Sequence, residues 1–167
     1  VFIYPIKSFG LIEVDITRGN LNPLPVAVSP LSIDEKSRKS FENLINKKNI
    51  GEEISSIVEN NLKTSGLFNP LNKDAFLQAP DIANLKPRFE DWNLIKAQAL
   101  ITGKVTNIDN KLRVEFRLWD VLAGKEMMAL AFTTVPTNWR RVGHIISDKV
   151  YERLTGEKGY FDTRIIY

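Results

Sequence analysis

The chain contains no cysteine and only one histidine, His144. The missing cysteines exclude disulfides, thiolate nucleophiles and sulfur-ligated metal sites. The chain also has no Gly-rich phosphate loop and no Gly-x-Ser-x-Gly turn. Asp148 follows His144 by four residues, so a His–Asp dyad on one helix face is conceivable. A partly buried histidine oriented by a carboxylate or a backbone carbonyl explains the pair more simply. We predict no catalytic, metal-binding or cofactor-binding residues and therefore no enzyme.

The chain has little excess charge and no apolar run long enough to cross a bilayer. Its 23 basic and 20 acidic residues give a net charge of +3, with the two signs interspersed. Residues 1–6 are apolar but too short to span a membrane. Ser8 and Gly10 place small residues where a signal peptidase cleaves, so residues 1–10 are interpreted as a signal-peptide remnant or, alternatively, a tail. The chain is expected to be peripheral to a membrane at most.

The first half of the chain predicts strands and one long helix. Residues 11–18 alternate apolar and polar side chains, which is typical of a strand with one buried face, and residues 24–28 form a continuous apolar strand. The charged residues 32–48 predict either a short solvated helix or a mobile excursion. Asn49 and Glu52 have the spacing of a capping box before a helix over residues 50–65, which Gly66 ends. Residues 68–71 predict a short strand, and a brief helix is expected near residues 88–94.

The second half predicts an antiparallel meander followed by a helix. Strands are expected over residues 97–108, 111–121 and 126–135, with Asp109–Asn110 and Ala123–Gly124 in the turns. A stripe of apolar residues over 138–154 predicts an amphipathic helix, capped by Thr137 or Asn138. The predicted fold class is α+β, a two-layer domain with a mixed sheet of about five strands and two main helices packed on one face.

Four segments together resemble the amino-terminal domain of the TolB family, the periplasmic component of the Tol-Pal envelope system. They are VDITRG (residues 14–19), LKTSGLFNPL (62–71), FRLWDV (116–121) and RRVGHIISDKVYERLTGEKGYFDTRI (140–165). Each motif alone is weak, but they occur in the order and at the spacing of the family. The resemblance implies a TolB-like domain over residues 11–158, with residues 159–167 as the first strand of a β-propeller that this sequence does not include.

The resemblance also implies a role as a periplasmic protein–protein interaction module in envelope integrity and cell division. TolB-like proteins meet the lipoprotein Pal, and some colicins, through the propeller, so those contacts are not expected in this chain. The family's first strand engages the C-terminal domain of TolA. In this chain the corresponding residues are Leu11, Ile12, Glu13, Val14, Asp15, Ile16 and Thr17.

Strand donation to TolA is physically reasonable because an edge strand near a free chain end can pair with another protein at little topological cost. The backbone would supply affinity, Ile12, Val14 and Ile16 would supply specificity, and Glu13 and Asp15 would steer the chain toward a basic partner. The alternative is that residues 11–17 form a fixed strand of the domain's own sheet.

A second alternative is nucleic-acid binding. It would use two clusters of arginine and tryptophan, which could stack on bases and neutralise phosphates. Glu115 interrupts one of them and Glu126 follows nearby, so nucleic acid is not expected as a partner. The residues concerned are Arg113, Arg117, Trp119, Trp139, Arg140 and Arg141.

Overall fold

The computed structural model describes residues 12–13 and 22–163. The strands are β1 Leu24–Val28, β2 Ser32–Ile33, β3 Phe68–Pro70, β4 Ala99–Ile108, β5 Lys111–Asp120 and β6 Lys125–Thr134. The helices are α1 Glu35–Ile45, α2 Ile50–Thr64, α3 Pro80–Leu85, α4 Phe89–Leu94 and α5 Trp139–Thr155. The strand predicted over residues 11–18 lies largely outside the described residues, and the two that are described, Ile12 and Glu13, are not in a strand.

The sheet is mixed, with the order β3-β1-β4-β5-β6. β1 is parallel to both of its neighbours, β2 pairs in parallel with a later part of β4, and β4, β5 and β6 form the antiparallel meander. The chain moves from β1 outward to β3 and then back across β1 to β4. Connections between parallel strands are right-handed, so two connections that run in opposite directions along a sheet place their helices on opposite faces. The connection from β1 to β3 therefore places α1 and α2 on one face, and the connection from β3 to β4 places α3 and α4 on the other.

The meander follows the predicted turns closely. Asp109 and Asn110 both have positive φ, 51° and 60°, which a two-residue hairpin loop requires and which these two residue types tolerate. Gly124 has φ 63° in the second turn. Along β5 every second side chain from Leu112 to Leu118 is buried, so the predicted covered face is confirmed.

The main core lies between the sheet and the long helices α2 and α5. Both helices contribute buried apolar stripes to one cluster, which confirms the predicted α+β fold with two main helices on one face. The helices cross closely at Gly143, where an added Cβ would lie 2.8 Å from Ile57 Cγ2. Glycine therefore sets the distance between the helices.

The opposite face carries a smaller apolar cluster that was not predicted. Trp92 of α4 is buried there against Ala27 and Leu100 of the sheet. Gln78 holds this layer together, because its Oε1 accepts from the Trp92 indole N–H and the Arg88 backbone N–H, both at 3.0 Å.

Three local predictions need correction. Residues 32–48 form β2 and α1, so the predicted short helix is confirmed and the mobile excursion is wrong. The helix is not wholly solvated, because Phe41 of α1 is fully buried in the core. The capping box is wrong, because Asn49 makes no side-chain cap and instead accepts a bond of 3.1 Å from Arg38. Asn138 makes no side-chain cap on α5 either, and its amide N–H donates to Thr134 Oγ1.

Candidate partner-binding surface

The predicted partner-binding segment is only partly described. Ile12 and Glu13 have defined positions beside the meander, at the end where β5 turns into β6. The remaining residues of the segment lie outside the described part of the chain: Leu11, Val14, Asp15, Ile16 and Thr17.

Ile12 is attached to the domain by its backbone and its side chain. Its N–H donates to Asp120 Oδ2 at 3.2 Å, and its side chain packs against the main core. Asp120 ends β5 and is 2% exposed, and its Oδ1 accepts from the Ala123 N–H at 2.9 Å. One carboxylate therefore fixes both the β5–β6 turn and the start of the described chain.

Glu13 is exposed and lies at the end of a groove of about 590 Å³ between β6 and α5. Met128 and Leu130 of β6 form an apolar side of this groove. The α5 side carries charged residues of both signs, Lys149, Glu152 and Arg153. The groove therefore combines apolar contact area with mixed charge, which suits a polypeptide better than a compact anion or cation.

The strand beside this groove has features of a pairing edge. Within the described residues β6 pairs with β5 alone, and its last eight residues, MMALAFTT, carry no charge. Natural edge strands are usually protected by charged side chains, proline or bulges. β6 has one irregularity, opposite Leu118 and Trp119, and is otherwise regular over its uncharged length.

His144 does not form the conceivable dyad. Its Nδ1 lies 2.9 Å from Nδ2 of Asn61 on α2, and the same amide donates to Ser147 Oγ at 3.0 Å. The Asp148 carboxylate instead accepts from the backbone N–H groups of Phe161 and Asp162. The prediction of a partly buried histidine is confirmed, but an amide orients it and not a carboxylate or carbonyl.

The arginines on the meander do not form a coherent basic face. Arg113 pairs with Glu115 at 3.4 Å, and Arg117 pairs with Glu126 at 3.1 Å. Trp119 packs edge-on against Phe89 and donates its indole N–H to Thr102. These side chains are engaged within the domain.

The second arginine cluster is organised in the same way. Trp139 is buried as a core residue, with Lys47 Nζ 4.9 Å and the Arg140 guanidinium 4.6 Å from its ring centre. Arg141 pairs with Asp162 at 3.1 Å. Nothing in either cluster favours the nucleic-acid alternative.

Metal sites and membrane spans were sought among residues 12–13 and 22–163. No group of three or more His, Asp or Glu side chains is placed there to hold a metal ion. No helix in that part of the chain is both long and apolar enough to cross a bilayer.

The family model of the TolB amino-terminal domain matches residues 12–127. The chain belongs to this family. The match begins at Ile12, the first residue whose position is described, and runs through the sheet into β6. The resemblance inferred from the four sequence motifs is thereby confirmed.

Longer relatives share this domain. The chain is 81% identical over 165 residues to the Tol-Pal system protein TolB of Pelagibacter ubique, a match that covers 99% of this chain and 37% of that protein. The chain thus spans little more than a third of the length of that curated relative. The crystal structure of TolB from Acinetobacter baumannii superposes with a TM-score of 0.67 at 22% identity, covering 84% of this chain and 30% of the other. At that identity the superposition establishes the fold alone.

Sequence reasoning missed the residues of the TolB-like domain that surround Ile12 and Glu13. Asp120 could have been found, because the alternation of β5 puts it on the buried face, where a carboxylate needs a hydrogen-bond partner. Met128 and Lys149 could not have been found from the sequence, because the groove that they line forms only when α5 packs beside β6.

Proposed function

We propose that this chain is a periplasmic protein–protein interaction module of the Tol-Pal system and that residues 11–17 pair with the C-terminal domain of TolA. The observation that carries the proposal is the family match from Ile12 onward, together with 81% identity to a Tol-Pal system protein TolB. The module performs no chemistry and needs no cofactor in this proposal.

The attachment of Ile12 and Glu13 supports a segment that can exchange partners. Both residues lie outside the described sheet, and the backbone bond from Ile12 to Asp120 ends on a side chain and not on a neighbouring strand. Of the described part of the segment, Ile12 gives up this one backbone bond to a side chain when the segment pairs elsewhere. Ile12 would exchange core contacts for contacts with TolA, and Glu13 would steer a basic partner.

The proposed division of the chain combines the small residues near its start with the family resemblance. Residues 1–10 are a signal-peptide remnant or tail, residues 11–158 are the TolB-like domain, and residues 159–167 lead into the first strand of a β-propeller. The described part of this last stretch, residues 159–163, is not itself in a strand. Contacts with Pal belong to that propeller and are not assigned to this chain.

Calorimetric titration with the TolA C-terminal domain tests the proposal. Val14→Pro removes a backbone donor and fixes φ, and because a strand pair loses at least one bond and its local register, affinity should fall about tenfold or more. Val14→Thr is the matched control, since it keeps the branched shape and the N–H, and it should bind far better than the proline variant.

A second arm tests the contribution of charge. Glu13→Gln combined with Asp15→Asn should slow association at low salt and change little at high salt, where exposed charges are screened. Deletion of residues 11–17 should abolish binding. TolA binding that survives this deletion unchanged would refute the proposal.

A further inference from the structure

The segment that follows α5 folds back along the helix and is fixed to it. Gly156 has φ 77°, the left-handed conformation that ends the helix and turns the chain. Residues 157–163 then pass beside Asp148 and Arg141, which are seven residues apart and therefore on one face of α5. The chain leaves the domain beside the middle of α5 and not beyond its end.

Asp148 makes the central attachment. Its Oδ1 accepts from the Phe161 N–H at 2.7 Å and its Oδ2 from the Asp162 N–H at 3.0 Å. Hydrogen bonds to a carboxylate are roughly twice as strong as bonds between neutral groups. Two such bonds to consecutive residues fix both the position and the direction of the backbone.

Arg141 makes a second attachment two turns earlier. Its guanidinium contacts both oxygens of Asp162, with Nε 3.1 Å from Oδ1 and Nη2 3.1 Å from Oδ2. Hydrogen bonding and the charge of Asp162 raise the pKa of Arg141 above its ordinary value. A bidentate pair restricts the orientation of the carboxylate as well as its distance.

Gly159 allows the backbone to lie this close to the helix. A Cβ built at Gly159 would be 2.7 Å from the Cβ of Asp148, a separation that real Cβ atoms do not show. Aromatic packing completes the attachment, with Tyr160 and Phe161 centred 5.5 and 5.9 Å from the ring of Tyr151. Tyr151 is itself buried in the main core.

We infer that Arg141, Asp148, Gly159 and Asp162 form an exit clamp, which fixes residues 159–163 against α5 at the point where the chain continues toward a following domain. A domain that follows in the full-length protein is thereby oriented on this one and does not swing on a free linker. The inference rests on the proposed division of the chain, in which such a domain follows. It does not depend on TolA binding.

Two measurements on the full-length protein test the clamp. The first is hydrogen exchange at the amides of Phe161 and Asp162, which should be protected in the wild type and exchange at least tenfold faster in Asp148→Ala. Lys158→Ala changes an exposed side chain of the same segment, outside the groove that Glu13 borders, and should leave the protection unchanged.

The second measurement is the distance distribution between one spin label at Asn60→Cys on α2 and another in the following domain, by double electron–electron resonance. Wild type and Lys158→Ala should give one narrow distribution, and Asp148→Ala should broaden it about twofold or more. Arg141→Asp should also broaden it, and adding Asp162→Arg should restore the narrow form. TolA affinity is not a readout, so failure of the proposed function leaves this result unaffected.

Either of two results would overturn the inference. One is a broad distribution in the wild type. The other is faster amide exchange in Asp148→Ala with no change in the distance distribution, which would make the attachment local only. Should Asp148→Ala fail to fold, the charge-reversal pair keeps the test decisive because Arg141 is an exposed side chain.

Discussion

Replacing Phe41 with alanine tests whether α1 is a structural element or a solvated excursion. Phe41 is fully buried in the main core although its helix is the most polar segment of the chain. Removing a buried phenylalanine costs about 3–5 kcal/mol in lost burial and cavity formation. Alanine recovers roughly 0.5 kcal/mol in helix propensity. The expected loss in the free energy of unfolding is therefore about 2.5–4.5 kcal/mol.

Urea unfolding followed by tryptophan fluorescence measures this loss. With a denaturant slope of about 2 kcal/mol per molar, the midpoint should fall by roughly 1.2–2.2 M. Leu44→Ala is the matched control, because Leu44 lies on the same helix and is 44% exposed. The control should change the unfolding free energy by less than about 1 kcal/mol.

The outcome discriminates between the two interpretations of the segment. A loss under about 1 kcal/mol for Phe41→Ala, similar to the control, would show that α1 does not contribute to the cooperative core. The mobile excursion would then describe residues 32–48 better than a docked helix does.

Two further predictions concern polar groups. Asn61→Ala removes the amide that lies 2.9 Å from Nδ1 of the half-buried His144 and donates to the buried Ser147 Oγ, so the free energy of unfolding in urea should fall by about 1–3 kcal/mol. Asn60→Ala, exposed on the same helix, should be near neutral, and equal effects of the two variants would contradict this. Asp34 caps α1, and a hydrogen bond from the backbone N–H of Ser37, with a smaller one from its hydroxyl, lowers the pKa of Asp34 below the ordinary value of 3.8. The ionised cap therefore stabilises the fold above pH 3.8, and this stabilisation is lost as the pH falls through the lowered pKa of Asp34. Asp34→Ala should therefore cost about 1 kcal/mol in urea titrations at pH 7 and clearly less near pH 3, and a cost independent of pH would count against it.

The family was predictable from the sequence, but the surroundings of the first segment were not. The four motifs identified the family, which the match over residues 12–127 confirms, whereas the assignment of residues 11–17 to partner binding stays a prediction. The residues that hold the segment come from distant parts of the chain, since Ile12 and Asp120 are 108 positions apart. No local pattern encodes such a pairing.

Interactions between helices were unpredictable for the same reason. The partner of His144 is Asn61, 83 residues earlier, because α2 and α5 pack side by side on the sheet. The capping box failed because Arg38 reaches Asn49 from another helix and takes the oxygen that would have capped α2. A local rule is overridden where tertiary packing supplies a competing donor.

Patterns within the amino-acid sequence predict the elements whose causes are local. Alternation along β5, the two positive-φ residues at Asp109 and Asn110, and the apolar stripe of α5 each depend on neighbours a few positions away. Three other features are visible only in the folded chain. β1 lies between β3 and β4, the polar helix α1 buries Phe41, and the chain returns along α5 to Asp148. Those features depend on which apolar faces meet and on how close two backbones can approach, and both are properties of the folded chain as a whole.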